Sequence, residues 1–336
     1  MAHINVALMV VTHGIRIAAA VLLSSLIAAS PAAAQRAERP HQQKTYTFDL
    51  IPGITTNPFY VTLFRGAKDE ARVLGVKLVS LGAPDAFSAS AQTPYVDLAI
   101  AQHPDAILIA PTDETAMVAP LRRAVRAGIP VITVDTSISA PFALTHIGSR
   151  NVQGGALAAR ALVQAIHGRG AVLSISVRPG ISTTDRRERG FVRELGRYRN
   201  TRYLGTFYDD DVVSRAVHIT IKQLARHSTV AGIFALNALS GVGAIGGVTA
   251  AHKARQVRLV EFGAEPLQVY TLRQGIVDAL IAEDPLAMGN LGIRLAYRWA
   301  TGHRTGITKD YFTREIVLTR ANVDNPRFKR FLYAGH

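Results

Sequence analysis

Residues 106–135 read AILIAPTDETAMVAPLRRAVRAGIPVITVD, and this stretch decides the fold. Ala106–Ile109 and Pro130–Val134 are short apolar runs bounded by turn residues, which marks them as strands. Residues 114–127 between them follow a helical pattern. Strand, helix, strand implies parallel pairing with a right-handed crossover. The same alternation extends in both directions. Tyr46–Ile51 and Val76–Leu81 read as strands, with helical patterns over 59–74 and 93–102. After Ser149 it restarts, with strands expected near 171–176, 202–207, 230–235, 257–262 and 278–282. Two sets in 336 residues fit two doubly wound α/β lobes better than one large sheet. No Pro- or Ser-rich linker separates the halves, so the lobes are expected to join by short crossings.

With 48% apolar and 18% charged residues the chain can bury sizeable cores. Cysteine is absent, which removes disulfides, thiolate catalysis and Cys-based zinc sites. Ile17–Ala29 is uncharged and follows Arg16; Ala32-x-Ala34 after it has the small-residue form of a cleavage site. Residues 1–34 are therefore expected to be a cleaved secretory signal, and the mature protein periplasmic. The apolar run is shorter than the roughly 20 residues a bilayer span needs, so the chain is not expected to span a membrane. The formal charge is +14, which invites an anionic partner or, more simply, describes a solvated basic surface. Seven arginines lie between Arg186 and Arg202, but few aromatics interleave them and no nucleic-acid motif accompanies them.

In open parallel sheets ligands sit beyond the carboxyl ends of the strands, so the residues just after each strand are the candidates. After the first comes Asn57-Pro58-Phe59-Tyr60. Asn57 can cap the next helix and Pro58 suits its first turn. Phe59 and Tyr60 are then held where an aromatic face could lie against a sugar ring. The plainer reading is a capped helix with a core aromatic. The fourth strand ends in Asp135-Thr136, where the carboxylate either meets ligand hydroxyls or closes a turn on Ser137. In the second half, helical spacing puts Arg187 on the face of Phe191, Glu194, Leu195 and Tyr198. Arg186, Arg189, Arg193 and Arg197 fall on another, solvated face, which leaves Arg187 as the arginine expected to point into a cleft, where its fork can grip oxygens. Asn237 follows the strand 230–236.

Gly241-Val242-Gly243-Ala244-Ile245-Gly246 satisfies G-x-G-x-x-G, with Glu261 twenty residues on, where a dinucleotide fold places its ribose acid. The glycines begin four residues after the strand, however, which puts them inside the helix, easing close packing. No H-x-x-x-H spacing and no G-x-S-x-G elbow occur. The chain does not read as an enzyme, and no cofactor or metal is expected.

These residues resemble the ribose-binding-protein family, type I periplasmic solute-binding proteins that share their fold with the ligand domain of Lac-repressor-like regulators. The resemblance runs from about 45 to 320. It is carried by Asn57-Pro58-Phe59-Tyr60, Ile107–Asp113, Ile129–Asp135, Arg187-x-x-Gly190-Phe191, Ile233–Asn237, Ile281–Pro285 and Met288-Gly289. It implies an interlobe cleft lined by Asn57, Phe59, Tyr60, Asp135, Asn237 and, at a lobe crossing, Glu283. It also implies three hinge crossings near 149, 283 and 312. One lobe is then 45–149 plus 284–311, and the other 150–283 plus 312–336. Function follows as an expectation: a monomer that closes around a sugar-like ligand and presents it to an ABC permease. The alternatives are a sensory module for a chemoreceptor or kinase and a nicotinamide-dependent dehydrogenase; a repressor would need a helix-turn-helix at its start.

Three positions depart from the family pattern. Thr136 stands where sugar binders often carry Arg, Gly263 where Asp is usual, and Ala238 where an acid is frequent. Fewer acids on a basic protein raise the expectation of an anionic or less hydroxylated ligand, with Glu261, Glu265 or Glu283 as candidate replacements.

Overall fold

The computed structural model describes residues 44–333. The expected signal segment, 1–34, lies outside the described residues. The chain begins with β1 (Thr47–Ile51), α1 (Pro58–Leu74), β2 (Lys77–Ser80), α2 (Ala89–Gln102), β3 (Ala106–Ile109), α3 (Val118–Arg126), β4 (Val131–Val134) and β5 (Thr145–Gly148). It continues through α4 (Asn151–Ala165), β6 (Gly170–Ser176), α5 (Ser182–Leu195), β7 (Thr201–Tyr208), α6 (Val213–Arg226) and β8 (Val230–Ala235). Then come α7 (Ala238–Ala250), β9 (Arg258–Phe262), α8 (Pro266–Arg273) and β10 (Ala279–Ala282). It ends with α9 (Pro285–Ala300), β11 (Asp310–Phe312), β12 (Ile316–Leu318) and a 3-10 turn, Pro326–Phe331.

Two six-stranded sheets result, ordered β11-β5-β4-β3-β1-β2 and β12-β10-β9-β8-β6-β7. Every pairing is parallel except β10 with β12. The molecule is thus two α/β lobes with helices on both sheet faces. Alternate residues of a strand serve opposite layers: Phe48 and Leu50 join one core cluster and Ile51 another, with all three inaccessible to solvent. In each sheet the strand order reverses beside the first strand, at β1/β3 and at β6/β8, and the crevice outside those carboxyl ends is where such folds bind ligands. The chain passes between the sheets after β5, after β10 and between β11 and β12.

Glycines set how closely the helices meet. A Cβ at Gly155 would lie 1.9 Å from the Arg187 carbonyl oxygen, and one at Gly190 1.9 Å from that of Val152. Glycine at both points brings α4 and α5 into backbone contact, which fixes where Arg187 starts.

Several elements differ from the sequence expectation. α2 begins at Ala89, four residues before 93, because Ser88 Oγ accepts from Ala91 N at 3.2 Å; Pro94 is carried inside the helix. α3 begins at Val118, not 114, since Asp113 Oδ1 takes the amides of Thr115 and Ala116 and holds a turn there. β5, β11 and β12 have no counterpart in the expected elements. β5 is Thr-His-Ile-Gly, with no apolar run, and the other two have three residues each.

Candidate functional site

The carboxyl ends of both sheets face one cleft of about 110 Å³. Nine residues singled out in the sequence line it: Asn57, Phe59, Tyr60, Asp135, Thr136, Arg187, Asn237, Gly263 and Glu283.

Asn57 caps α1, its Oδ1 accepting from Phe59 N at 2.9 Å. Its amide faces the cleft, where Nδ2 donates to Glu265 Oε1 of the other lobe at 2.9 Å. Phe59 is both core and wall, packed edge-on against Tyr60 at 5.2 Å and Tyr333 at 5.5 Å. The Tyr60 hydroxyl donates to Asp135 Oδ2 at 2.9 Å. Asp135 does not close a turn on Ser137, whose amide instead donates to Ser182 Oγ of α5 at 2.8 Å. It stands at φ 62°, a left-handed conformation that Asp tolerates better than most residues. Burial, and then Glu283, raise its pKa from the ordinary value.

Arg187 is buried and fully engaged. Its Nε donates to Asn151 Oδ1 (2.8 Å), Nη1 to the Leu236 carbonyl (3.0 Å) and Nη2 to Glu283 Oε2 (2.9 Å). The guanidinium lies 3.5 Å from the Phe262 ring centroid. The Glu283 backbone N–H donates to Tyr333 Oη at 3.1 Å. Asn237 precedes α7 without capping it through its side chain; Nδ2 donates to Asp211 Oδ1 at 2.7 Å.

Gly263 explains one departure from the family pattern. Its φ is 115°, and a Cβ would lie 2.7 Å from Gln268 Oε1, so an aspartate does not fit this backbone. Acids come from elsewhere: Asp211 and Glu265 also line the cleft. Burial raises the Glu265 pKa to about 7 and that of Asp211 in the same direction. Glu261 does not line the cleft; it is buried under α7, where a Cβ on Gly241 would meet its carboxylate at 2.6 Å. Among the described residues lining the cleft, four are acidic and Arg187 is the single cation.

Sequence reasoning missed Asp211, although three consecutive acids, Asp209 to Asp211, stand after β7. Tyr333 gave no signal at all, being 50 residues from Glu283. Arg186 is a correction. It is half-buried, not on a solvated face, and its Nη2 donates to Ser137 Oγ of the opposite lobe at 2.9 Å. With Arg178 Nη2 donating to the carbonyls of Phe87 (3.3 Å) and Thr112 (3.2 Å), and Glu114 N to Gly180 O (3.0 Å), these contacts bridge the two sheets' sides of the molecule.

The glycine motif lies within α7. Gly241 is in its first turn, and Gly243 packs on α6, where a Cβ would sit 2.2 Å from that of Ala216. The Glu261 carboxylate is covered by this helix, so the pair makes a packing contact and not a dinucleotide site. Among the described residues no cluster of three His, Asp or Glu is placed to hold a metal, and no helix is long and apolar enough to cross a membrane.

The sequence of the periplasmic binding protein domain family matches residues 48–304. The ribose import binding protein of Haemophilus influenzae is 30% identical over 77% of this chain and 87% of its own length. That of Bacillus subtilis is 28% identical over 76% and 81%. A solved ABC transporter solute-binding protein from Agrobacterium vitis, bound with α-D-tagatopyranose, superposes with a TM-score of 0.83. It is 40% identical and covered in full, against 86% of this chain. The chain belongs to the periplasmic binding protein family.

Proposed function

We propose that this protein is the non-enzymatic, extracytoplasmic binding component of an ABC importer, and that it captures a neutral sugar between its lobes. One observation carries the sugar. Thr136 Oγ1, Asn237 Oδ1 and Glu283 Oε1 are buried cleft atoms with no hydrogen-bond partner. Each such group costs about 1–3 kcal/mol unless something bonds to it, and the hydroxyls of a sugar supply what all three need. Phe59 and Phe262 offer the apolar surfaces that a pyranose ring presses against.

The expectation of an anionic ligand gives way here. It rested on missing acids, but Asp211 and Glu265 restore them, and the one arginine is held by Glu283. An added negative charge would face four acidic side chains and find no uncommitted cation. The tagatose-bound relative makes hexopyranoses the first class to try. In this reading the lobes are 45–149 with 284–311 and 150–283 with 312–336, the three crossings act as the hinge, and residues 1–34 direct export. The closed form is what a permease would receive.

Isothermal titration of the processed protein with tagatose, allose, ribose, arabinose and their acid or phosphate derivatives tests this. Saturable binding of a neutral sugar, lost in Asp135→Ala, is the expected result. Binding confined to the acids or phosphates would overturn it.

A further inference from the structure

A second cavity, of about 750 Å³, lies where the chain first leaves β5 for α4. One wall is the β4–β5 loop with β5 and β11; the other is the amino-terminal half of α4 with α5. Arg150, Arg160, Arg186, Arg193, Arg197 and Lys309 line it, against only Glu194 and Asp310. Glu194 is shared by Arg160 at 3.1 Å and Arg197 at 3.5 Å. Arg150 lies over the Phe312 ring, 4.6 Å from its centroid, and Lys309 Nζ donates to the carbonyls of Pro141 and Ala143, both at 2.7 Å. Among the described residues neither Arg150 nor Arg193 has a carboxylate within ion-pair distance.

A basic surface is usually just solvated. Two observations separate this one from that case. The amino terminus of α4 opens into the groove, and no side chain caps it. Ser149, immediately before it, is 4% exposed and lines the groove, yet its hydroxyl has no partner. A helix end, a buried unpaired hydroxyl and guanidinium forks converge on the same space, and all of them satisfy anionic oxygens. His146, at the floor, adds no charge near neutrality: burial, and then Arg186, lower its pKa to about 4.

We propose that this groove binds a small multivalent oxyanion of the phosphate or polyphosphate class. Monovalent anions do not suffice, because cations on both walls need to be met at once. Lys309 belongs to the first sheet's side, and Arg160, Arg193 and Arg197 to the second's, so one anion engaging both ties the lobes in their closed arrangement. Resting on the proposed function, that contact raises sugar affinity, and sugar reciprocally raises anion affinity.

Titration of the processed protein with pyrophosphate at constant ionic strength, read by calorimetry and by thermal midpoint, tests the site. A saturable isotherm is expected, weakened at least tenfold in Arg150→Gln/Arg193→Gln and a few-fold in Ser149→Ala, with the midpoint of the anion-free variants unchanged. Should the double variant not fold, Arg193→Gln alone, on the exposed face of α5, serves the same purpose. A midpoint shift matched by sodium chloride, or an isotherm indifferent to these substitutions, overturns the proposal. Sedimentation with phosphatidylglycerol vesicles distinguishes the source of the phosphate. Binding displaced by pyrophosphate supports the same site with a lipid headgroup as ligand. Binding that pyrophosphate does not displace, and that persists in the double variant, overturns it. The pyrophosphate isotherm needs no sugar, so it stands or falls apart from the assignment of the cleft.

Discussion

Asn151 touches both cavities of this molecule: it lines the basic groove, and its Oδ1 accepts from Arg187 of the cleft. On the cleft side, one arginine meets four carboxylates in about 110 Å³. On the other side, six cations meet two acids in about 750 Å³. A formal charge of +14 describes neither place. What differs is desolvation. Arg187 is buried and has a partner for each part of its guanidinium, whereas Arg193 stands in water, which screens it.

That contrast can be broken most forcefully at Arg187. Arg187→Ala leaves Glu283 as an uncompensated buried carboxylate, and such losses cost about 3–5 kcal/mol. Urea unfolding is expected to show this together with the loss of sugar binding. Arg193→Gln on the groove side should stay within about 0.5 kcal/mol of the parent. Equal costs would erase the distinction between the two cavities.

Next in size is the response to pH. Burial raises the pKa of Glu261 to about 7 and of Glu315 to about 8, both from 4.5. The folded state therefore holds protons that the unfolded state has already released, and stability declines as pH rises through 7 to 8. His146 works the other way, but only below its ordinary value of 6.5, so it does not interfere in this window. Thermal midpoints are expected to fall between pH 6.5 and pH 8.5. Glu261→Gln should flatten that fall and stabilise the protein at the alkaline end by on the order of 3 kcal/mol, one pKa unit being about 1.4. A midpoint that rises with pH across this range would contradict the assignment.

Tyr60→Phe sharpens the comparison within the cleft. It removes the donor to Asp135 Oδ2 without opening a cavity, at a cost of about 1–3 kcal/mol and with roughly tenfold weaker sugar binding in calorimetry. Smallest is the effect of salt on the cleft. Between about 0.05 and about 0.5 M, sugar affinity should change less than about twofold, while pyrophosphate affinity drops by about an order of magnitude or more.

How much of this was legible beforehand follows the same physical division. β3 and β4 could be read because strands covered on both faces are apolar throughout; β5, β11 and β12 could not, since they are short, polar or at the sheet edge. Asn57 announced itself as a cap before proline, and Arg187 by sharing a helix face with Phe191. Glu265 could be named as a candidate replacement for the missing acids, but Asp211 enters the cleft on a loop, and loops have no period to read. The Asp that Gly263 replaces could be missed in sequence, but only the backbone at φ 115° shows why it cannot be restored in place.

The order in which the strands are used has a consequence for how the chain is made. The first sheet, begun at Thr47, is not complete until β11, and the second waits for β12 at Ile316–Leu318. Glu70 of α1 finds its partner Arg294 only 224 residues later. A nascent chain therefore carries no finished lobe until almost all of it has been synthesised, and contacts this distant in sequence form slowly. The last strand of each sheet is thus among the last parts of the chain to be made, and neither sheet can close at its β11 or β12 edge before then.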